Sequence, residues 1–191
     1  MQRKFYACLS FFLGVAALMT GCVSTGVDPA VSTKTAETAT VYIIQPSAAV
    51  NVSFTTFTSG LNISKVQLQL WDNDTWLGYI SSKNYIVYYA KPGTHYFMAK
   101  AANWDVVKVE VRAGKTYYLK TTDLPGFSEP SVKLEPVDPK DPDLQSWLDG
   151  SKEIVPKARA NPYMLTEAQK TLEKVKSGGG EFKPFPVSWA Q

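Results

Sequence analysis

From Thr40 onward, apolar and polar positions alternate over short distances. The runs "TVYIIQ", "VSFTTFT", "VQLQLW", "TWLGYI", "YIVYYA", "THYFMAKA", "VVKVEV" and "TYYLKT" are rich in Val, Ile, Thr and aromatic residues. Such residues suit a pleated, half-buried surface, and a period near two marks strands rather than helices. Gly, Pro, Asn and Asp separate the runs, and no helix-period stretch interrupts them before "SVKLEPV". The pattern predicts a mainly β domain over residues 39–137, an antiparallel β-sandwich, Ig-like or related. After "DPKDPD" the texture changes, so residues 138–191 read as a C-terminal extension. In it, "DLQSWLDG" suits a short helix and "MLTEAQKTLEKVKSGGG" a longer one near 166–177. Thr166 and Gln169 form a capping-box pair there, and Ala168, Leu172 and Val175 share a face. Lys174 and Lys176 suit the negative end of that helix, and Gly178 can end it. The Pro-rich, aromatic tail "EFKPFPVSWAQ" is expected to pack on the domain or dock to a partner.

One hairpin raises a question of function. "VQLQLWDNDTWLGYI" is expected to turn at Asn73-Asp74, whose side chains tolerate the positive φ of tight turns. Pairing then sets Trp71 opposite Trp76, Leu70 opposite Leu77 and Leu68 opposite Tyr79. Alternation puts Val66, Leu68, Leu70, Leu77 and Tyr79 on the core face. Gln67, Gln69, Trp71 and Trp76 fall on the other. Two neighbouring indoles can form a platform that stacks on a sugar ring or a partner. They can equally be a cross-strand pair worth about 0.5–1.5 kcal/mol to the hairpin, or lie beneath the C-terminal extension. Burial of both indoles decides between these readings.

The N-terminus speaks of location. "MQRK" is a short basic segment, and "FYACLSFFLGVAALM" is an apolar stretch of 15 residues, 5–19. That is short of the roughly 20 residues a membrane-spanning helix needs, but suits a signal peptide. "LMTGCVS" follows, with Gly21 directly before Cys22. This resembles the lipobox of bacterial lipoproteins, with Met19 where Leu is commonest. The resemblance implies a signal peptide over 1–21, cleavage before Cys22, and acylation of Cys22 with palmitate-like chains. A cysteine carrying two or three chains holds a domain on a membrane without a spanning helix. Val23 follows, where Asp usually means retention in the inner membrane of Gram-negative bacteria. The expected location is therefore the periplasmic face of the outer membrane. Residues 22–38 are small and polar, and read as a lipidated tether. The other cysteine, Cys8, leaves with the signal peptide, so the mature chain has no intrachain disulfide.

Composition and charge narrow the partners. The chain has 191 residues, 45% hydrophobic and 19% charged, an ordinary globular balance. Loss of Arg3 and Lys4 takes the net charge from +3 to +1. A value so small gives no electrostatic basis for binding nucleic acid. Gly114-Lys115-Thr116 lacks the earlier glycine of a phosphate-binding loop and leads into a strand, so Ala113-Gly114 reads as a turn between antiparallel strands. One histidine and one lipidated cysteine cannot build a tetrahedral metal site, and no G-x-S-x-G motif occurs. No cofactor is expected.

From about Thr40 to Thr122 the order of features is similar to a family of small bacterial lipoproteins, domain of unknown function 2846. The likeness lies in an early "VYI" strand, "WLGYI", "PGTHYF" with Pro92, Gly93 and His95, and "AGKTYYLK" with Gly114, Tyr117 and Tyr118. It covers about 80 of the 191 residues. The family implies a β-sandwich and a lipid anchor, and supplies no catalytic residues. The Trp pair and the C-terminal extension depart from it.

His95 is the only histidine, and so the first candidate for acid–base chemistry. Pro92-Gly93 makes a tight turn before it, and alternation places it with Phe97, Ala99 and Ala101 on an apolar face. It therefore reads as a partly buried, hydrogen-bonded sheet residue. The expectation is a membrane-anchored envelope lipoprotein that is not an enzyme and has a binding or structural role. The alternative is a glycan-binding module using Trp71 and Trp76. A hydrolase with acidic catalysts stands behind both. An envelope protein or glycan is the expected partner, besides the membrane held through Cys22.

Overall fold

A computed structural model describes residues 26–46, 67–124 and 129–191. The predicted signal peptide, Cys22, Val23, Val66 and the run "VSFTTFT" lie outside these residues. The described chain is mainly β. Its strands are β1 (Ala39–Gln45), β2 (Leu68–Asp72), β3 (Thr75–Ile80), β4 (Asn84–Ala90), β5 (Gly93–Lys100), β6 (Trp104–Val111), β7 (Thr116–Leu124), β8 (Ser131–Val137), β9 (Lys152–Glu153) and β10 (Lys183–Pro184). The helices are α1 (Leu144–Asp149) and α2 (Pro162–Lys176).

The strands form two five-stranded sheets, ordered β8-β7-β1-β4-β9 and β10-β6-β5-β2-β3. Neither is wholly antiparallel, which corrects the expectation. β1 pairs parallel with β7, β4 with β9, and β10 with β6. The reason is connectivity. After β4 the chain leaves the first sheet, makes β5 and β6 in the second, and returns as β7 on the free side of β1. The turn at Ala113-Gly114 is therefore not a hairpin but a passage between sheets. Gly114 takes a φ of 72° in it, open to glycine at little cost.

One apolar cluster draws on both sheets: Val41 and Ile43 of β1, Leu68 and Leu70 of β2, Leu77 and Ile80 of β3, Phe97 and Ala99 of β5, Val107 and Val109 of β6, and Leu119 of β7. The β2–β3 register departs from simple pairing. Trp71 faces Trp76 as expected, but Leu70 faces Gly78 and Leu68 faces Ile80. Leu77 is the extra residue of a bulge. Leu77 and Ile80 thus join the core, while Tyr79 turns to the opposite face. Gly78 makes this step possible with a φ of 121°.

α2 lies on the outer face of the second sheet, burying Met164, Ala168, Leu172 and Val175. It begins four residues before the expected Thr166. Asn161 caps it, its side chain accepting from the Met164 N–H at 3.0 Å, with Pro162 preset for the first turn. Thr166 lies inside the helix and donates to the Pro162 carbonyl at 3.0 Å, so no capping box forms there. The C-terminal tail enters the sheets: Phe185 is a core residue, and Gln191 exchanges backbone hydrogen bonds with Thr116.

Both open sides between the sheets are closed. On one, Asn103 bonds the N–H and C=O of Val132, Asp105 accepts from the Leu134 N–H, and Lys183 donates to the Leu134 carbonyl. Side chains so occupy the free edge of β8, and Pro136 has no N–H to offer. On the other, residues 26–33 and 152–160 fill the gap beside β3 and β4. Val27 and Ala160 form an antiparallel bridge with bonds of 2.8 Å each way. The Ala30 N–H bonds the Trp76 carbonyl, and the Tyr89 N–H bonds the Ser32 hydroxyl. The later part of the expected tether is thus docked on the domain, because its backbone groups find partners at sheet edges.

Candidate functional site

The sole histidine sits in a polar cluster at one end of the core. Along β5, His95, Phe97 and Ala99 share the inward face. β2 lies beside β5 with Asp72 opposite Phe97, and Asp72 continues the inward series of Leu68 and Leu70. The register sets the Asp72 carboxylate diagonally beside the imidazole. Tyr88 approaches from β4 of the other sheet, its ring edge-on to Phe97 at 6.4 Å. His95 also stacks on Phe97, with centroids 5.8 Å apart.

The geometry fixes the charge state. His95 Nδ1 lies 2.8 and 2.7 Å from the two Asp72 oxygens. Nε2 lies 2.8 Å from the Lys91 carbonyl oxygen. A carbonyl only accepts, so Nε2 carries a hydrogen, and the carboxylate draws a second onto Nδ1. The side chain is an imidazolium in a buried pair, 11% exposed against 3% for Asp72. Burial opposes that charge. The hydrogen bond and charge of Asp72, the Lys91 carbonyl and the charge of Glu110 outweigh it and lift the histidine above its ordinary value. Burial first, then the neighbouring Asp72 carboxylate, push the Tyr88 hydroxyl well up, so it stays protonated.

Asp–His pairs in hydrolases leave Nε2 free to take a proton. Here a backbone carbonyl occupies it, and the imidazolium has no lone pair for a proton or a metal. A cleft of about 1030 Å³ opens above the cluster. Residues 30–38 form one wall, and Asp74, Tyr89 and Lys91 stand on the others. Its lining mixes hydroxyls, peptide groups and aliphatic surface with the charged side chains of Glu37, Asp72, Asp74 and Lys91. Among the described residues no group of three or more His, Cys, Asp or Glu side chains is placed to hold a metal.

The tryptophans are elsewhere and closed. Trp71 and Trp76 are 0% and 1% exposed, with centroids 4.8 Å apart. α2 covers them, together with Met98 and Val106. The Trp76 indole N–H donates to the Ala158 carbonyl at 2.9 Å, and Tyr79 packs edge-on against the same ring. No ring face is left for a sugar, which overturns the glycan platform. The physical reason is the amphipathic helix 162–176, whose apolar stripe needs a partner and finds it in this face of the sheet.

The remaining marked residues serve other places. Pro92 and Gly93 carry the chain from β4 to β5, between sheets, with Gly93 at φ 143°. Tyr117 is buried, and its hydroxyl accepts from the Arg112 N–H at 2.9 Å and donates to the Glu110 carbonyl at 3.2 Å, which pins the end of β6. Tyr118 lies on the outer face of the first sheet, stacked on Tyr42 at 5.2 Å. Cys22 lies outside the described residues. Asp72 was missed as a partner of His95, although a carboxylate in an inward series is itself a signal that a cation must be near.

No protein-family model matches the chain, and neither a curated protein nor a solved structure matches it significantly.

Proposed function

We propose that the chain is a membrane-anchored envelope lipoprotein with a non-enzymatic binding or structural role. In this reading Cys22 is acylated after removal of residues 1–21, and the domain stands at the periplasmic face of a Gram-negative outer membrane. The two sheets then form a β-sandwich related to domain of unknown function 2846. The observation that carries the reading is Gly21-Cys22 at the end of a basic-then-apolar N-terminus. Among the described residues no helix is long and apolar enough to cross a membrane. His95 offers no free nitrogen to act as a general base, since both face acceptors within hydrogen-bond distance. Metabolic labelling with palmitate tests the anchor. Cys22→Ala should abolish labelling and leave the precursor uncleaved, and undiminished labelling of that variant would sink the reading.

A further inference from the structure

We propose that the stretch 155–163 rests against the lipid headgroups of the membrane that holds the chain, so that the edge formed by β3 and β4 is the membrane-facing side. The inference rests on acylation of Cys22 and adds an orientation to it. Its first support is reach. From Val27 the backbone is fixed on the domain by the bridge to Ala160, by the Ala30–Trp76 hydrogen bond, and by the Asp28–Arg159 ion pair at 3.0 Å. Val27 is five residue steps from Cys22. At ~3.4 Å per residue those steps span about 17 Å at full extension. Ala160, about 5 Å across the bridge from Val27, is therefore held within about 22 Å of the lipidated residue, less than the diameter of a small domain.

The second support is what this stretch presents. Val155 is 75% exposed and Tyr163 70%, which leaves two large apolar side chains on the surface of this one stretch. Lys157 is exposed as well, the exposed Arg159 is paired with Asp28, and "VPKARANPY" itself contains no acidic residue. Tyrosine with valine and basic side chains is the chemistry that settles at a headgroup boundary of anionic lipid. Tyr163 lies three residues and Val155 five residues from Ala160, on the same segment clamped to the domain beside the Val27 bridge. The segment cannot swing away by itself. Trp76 holds the Ala158 carbonyl, Pro156 packs on Gly78, and the Ile154 N–H bonds the Tyr85 carbonyl.

Single-cysteine fluorescence tests this, because the mature chain has no cysteine other than Cys22. Full-length lipidated protein is labelled at Val155→Cys, Tyr163→Cys or, on the far edge, Lys133→Cys. Each is reconstituted in vesicles of phosphatidylethanolamine and phosphatidylglycerol carrying nitroxide-headgroup lipid. Quenching at 155 and 163 should exceed that at 133 several-fold. A flexible Gly-Ser insertion between Cys22 and Gly26 should lower it while the protein still floats with the vesicles. Floating, lipidated protein with equal quenching at all three sites, or none, overturns the orientation. Protein that does not float and whose Cys22 has an unmodified mass overturns the anchor itself.

Discussion

Substituting Asp72 by alanine tests the charge state assigned to His95. The change removes the acceptor of the Nδ1–H and leaves a buried, charged donor without its partner. An unsatisfied buried donor costs about 1–3 kcal/mol, and more when it is charged. Breaking a buried pair by removing one member costs about 3–5 kcal/mol, and with the pair this little exposed the loss belongs in that range. In a chain of this size that lowers the melting temperature by about 10 °C. The loss depends on pH. His95 is raised above its ordinary 6.5, so the pair stabilises fully below that value and less as pH rises through the folded-state value. The gap between wild type and Asp72→Ala is therefore widest in mildly acidic solution and narrows on the alkaline side. Urea unfolding followed by fluorescence of the buried tryptophans measures it, and imidazole nitrogen shifts report the protonation directly. A gap below about 1 kcal/mol, the worth of one ordinary hydrogen bond, would refute the imidazolium pair. So would a gap that widens with rising pH.

Three further substitutions probe the frame of the domain. Gly78→Ala places a Cβ 2.1 Å from the Pro156 Cβ, at a φ of 121° that side chains rarely adopt. Backbone strain and overpacking together should cost about 2–5 kcal/mol and loosen residues 152–160, which thermal unfolding and limited proteolysis would detect. Wild-type resistance to protease would sink the claim that this stretch is clamped on β3. For α2, Asn161→Ala should cost about 1 kcal/mol by removing the N-cap, while Thr166→Ala should change stability by less than about 0.5 kcal/mol because position 166 is inside the helix. The reverse order in denaturant titrations would return the helix start to Thr166.

What was legible in the sequence was local. Alternation marked β1–β8 because each strand buries one face, and Val41, Ile43, Leu68, Leu70, Phe97, Ala99, Val107 and Val109 recur at a period of two. Where the period breaks, prediction failed. Leu77 and Ile80 both face inward because a bulge takes up one residue, and the only local trace was a glycine within a strand. Parallel pairing of β1 with β7 was hidden, since residues about 75 positions apart meet only after the chain has changed sheets four times. Alternation divided Trp71 and Trp76 correctly from the core series, but the face of a strand says nothing of what covers it. That cover is a helix whose start was placed at the Thr166–Gln169 capping-box pattern, whereas the structure starts it after Asn161, with Pro162 in the first turn.

The buried pair joins these lessons to a reason for its existence. Leu68, Leu70 and Asp72 form one inward series, and His95, Phe97 and Ala99 form another. Apolar residues at 72 and 95 would satisfy the core in more than one strand alignment. A carboxylate and an imidazolium do not. A slip of one residue between β2 and β5 would turn Asp72 to the other face and leave His95 without its acceptor, at the cost of an isolated buried charge. The Lys91 carbonyl adds a second constraint, because it belongs to the passage between β4 and β5. The imidazolium thus ties the β2–β5 register to the point where the chain changes sheets. That is work a histidine does with both nitrogens occupied, and a catalytic base could not do it without surrendering one of them.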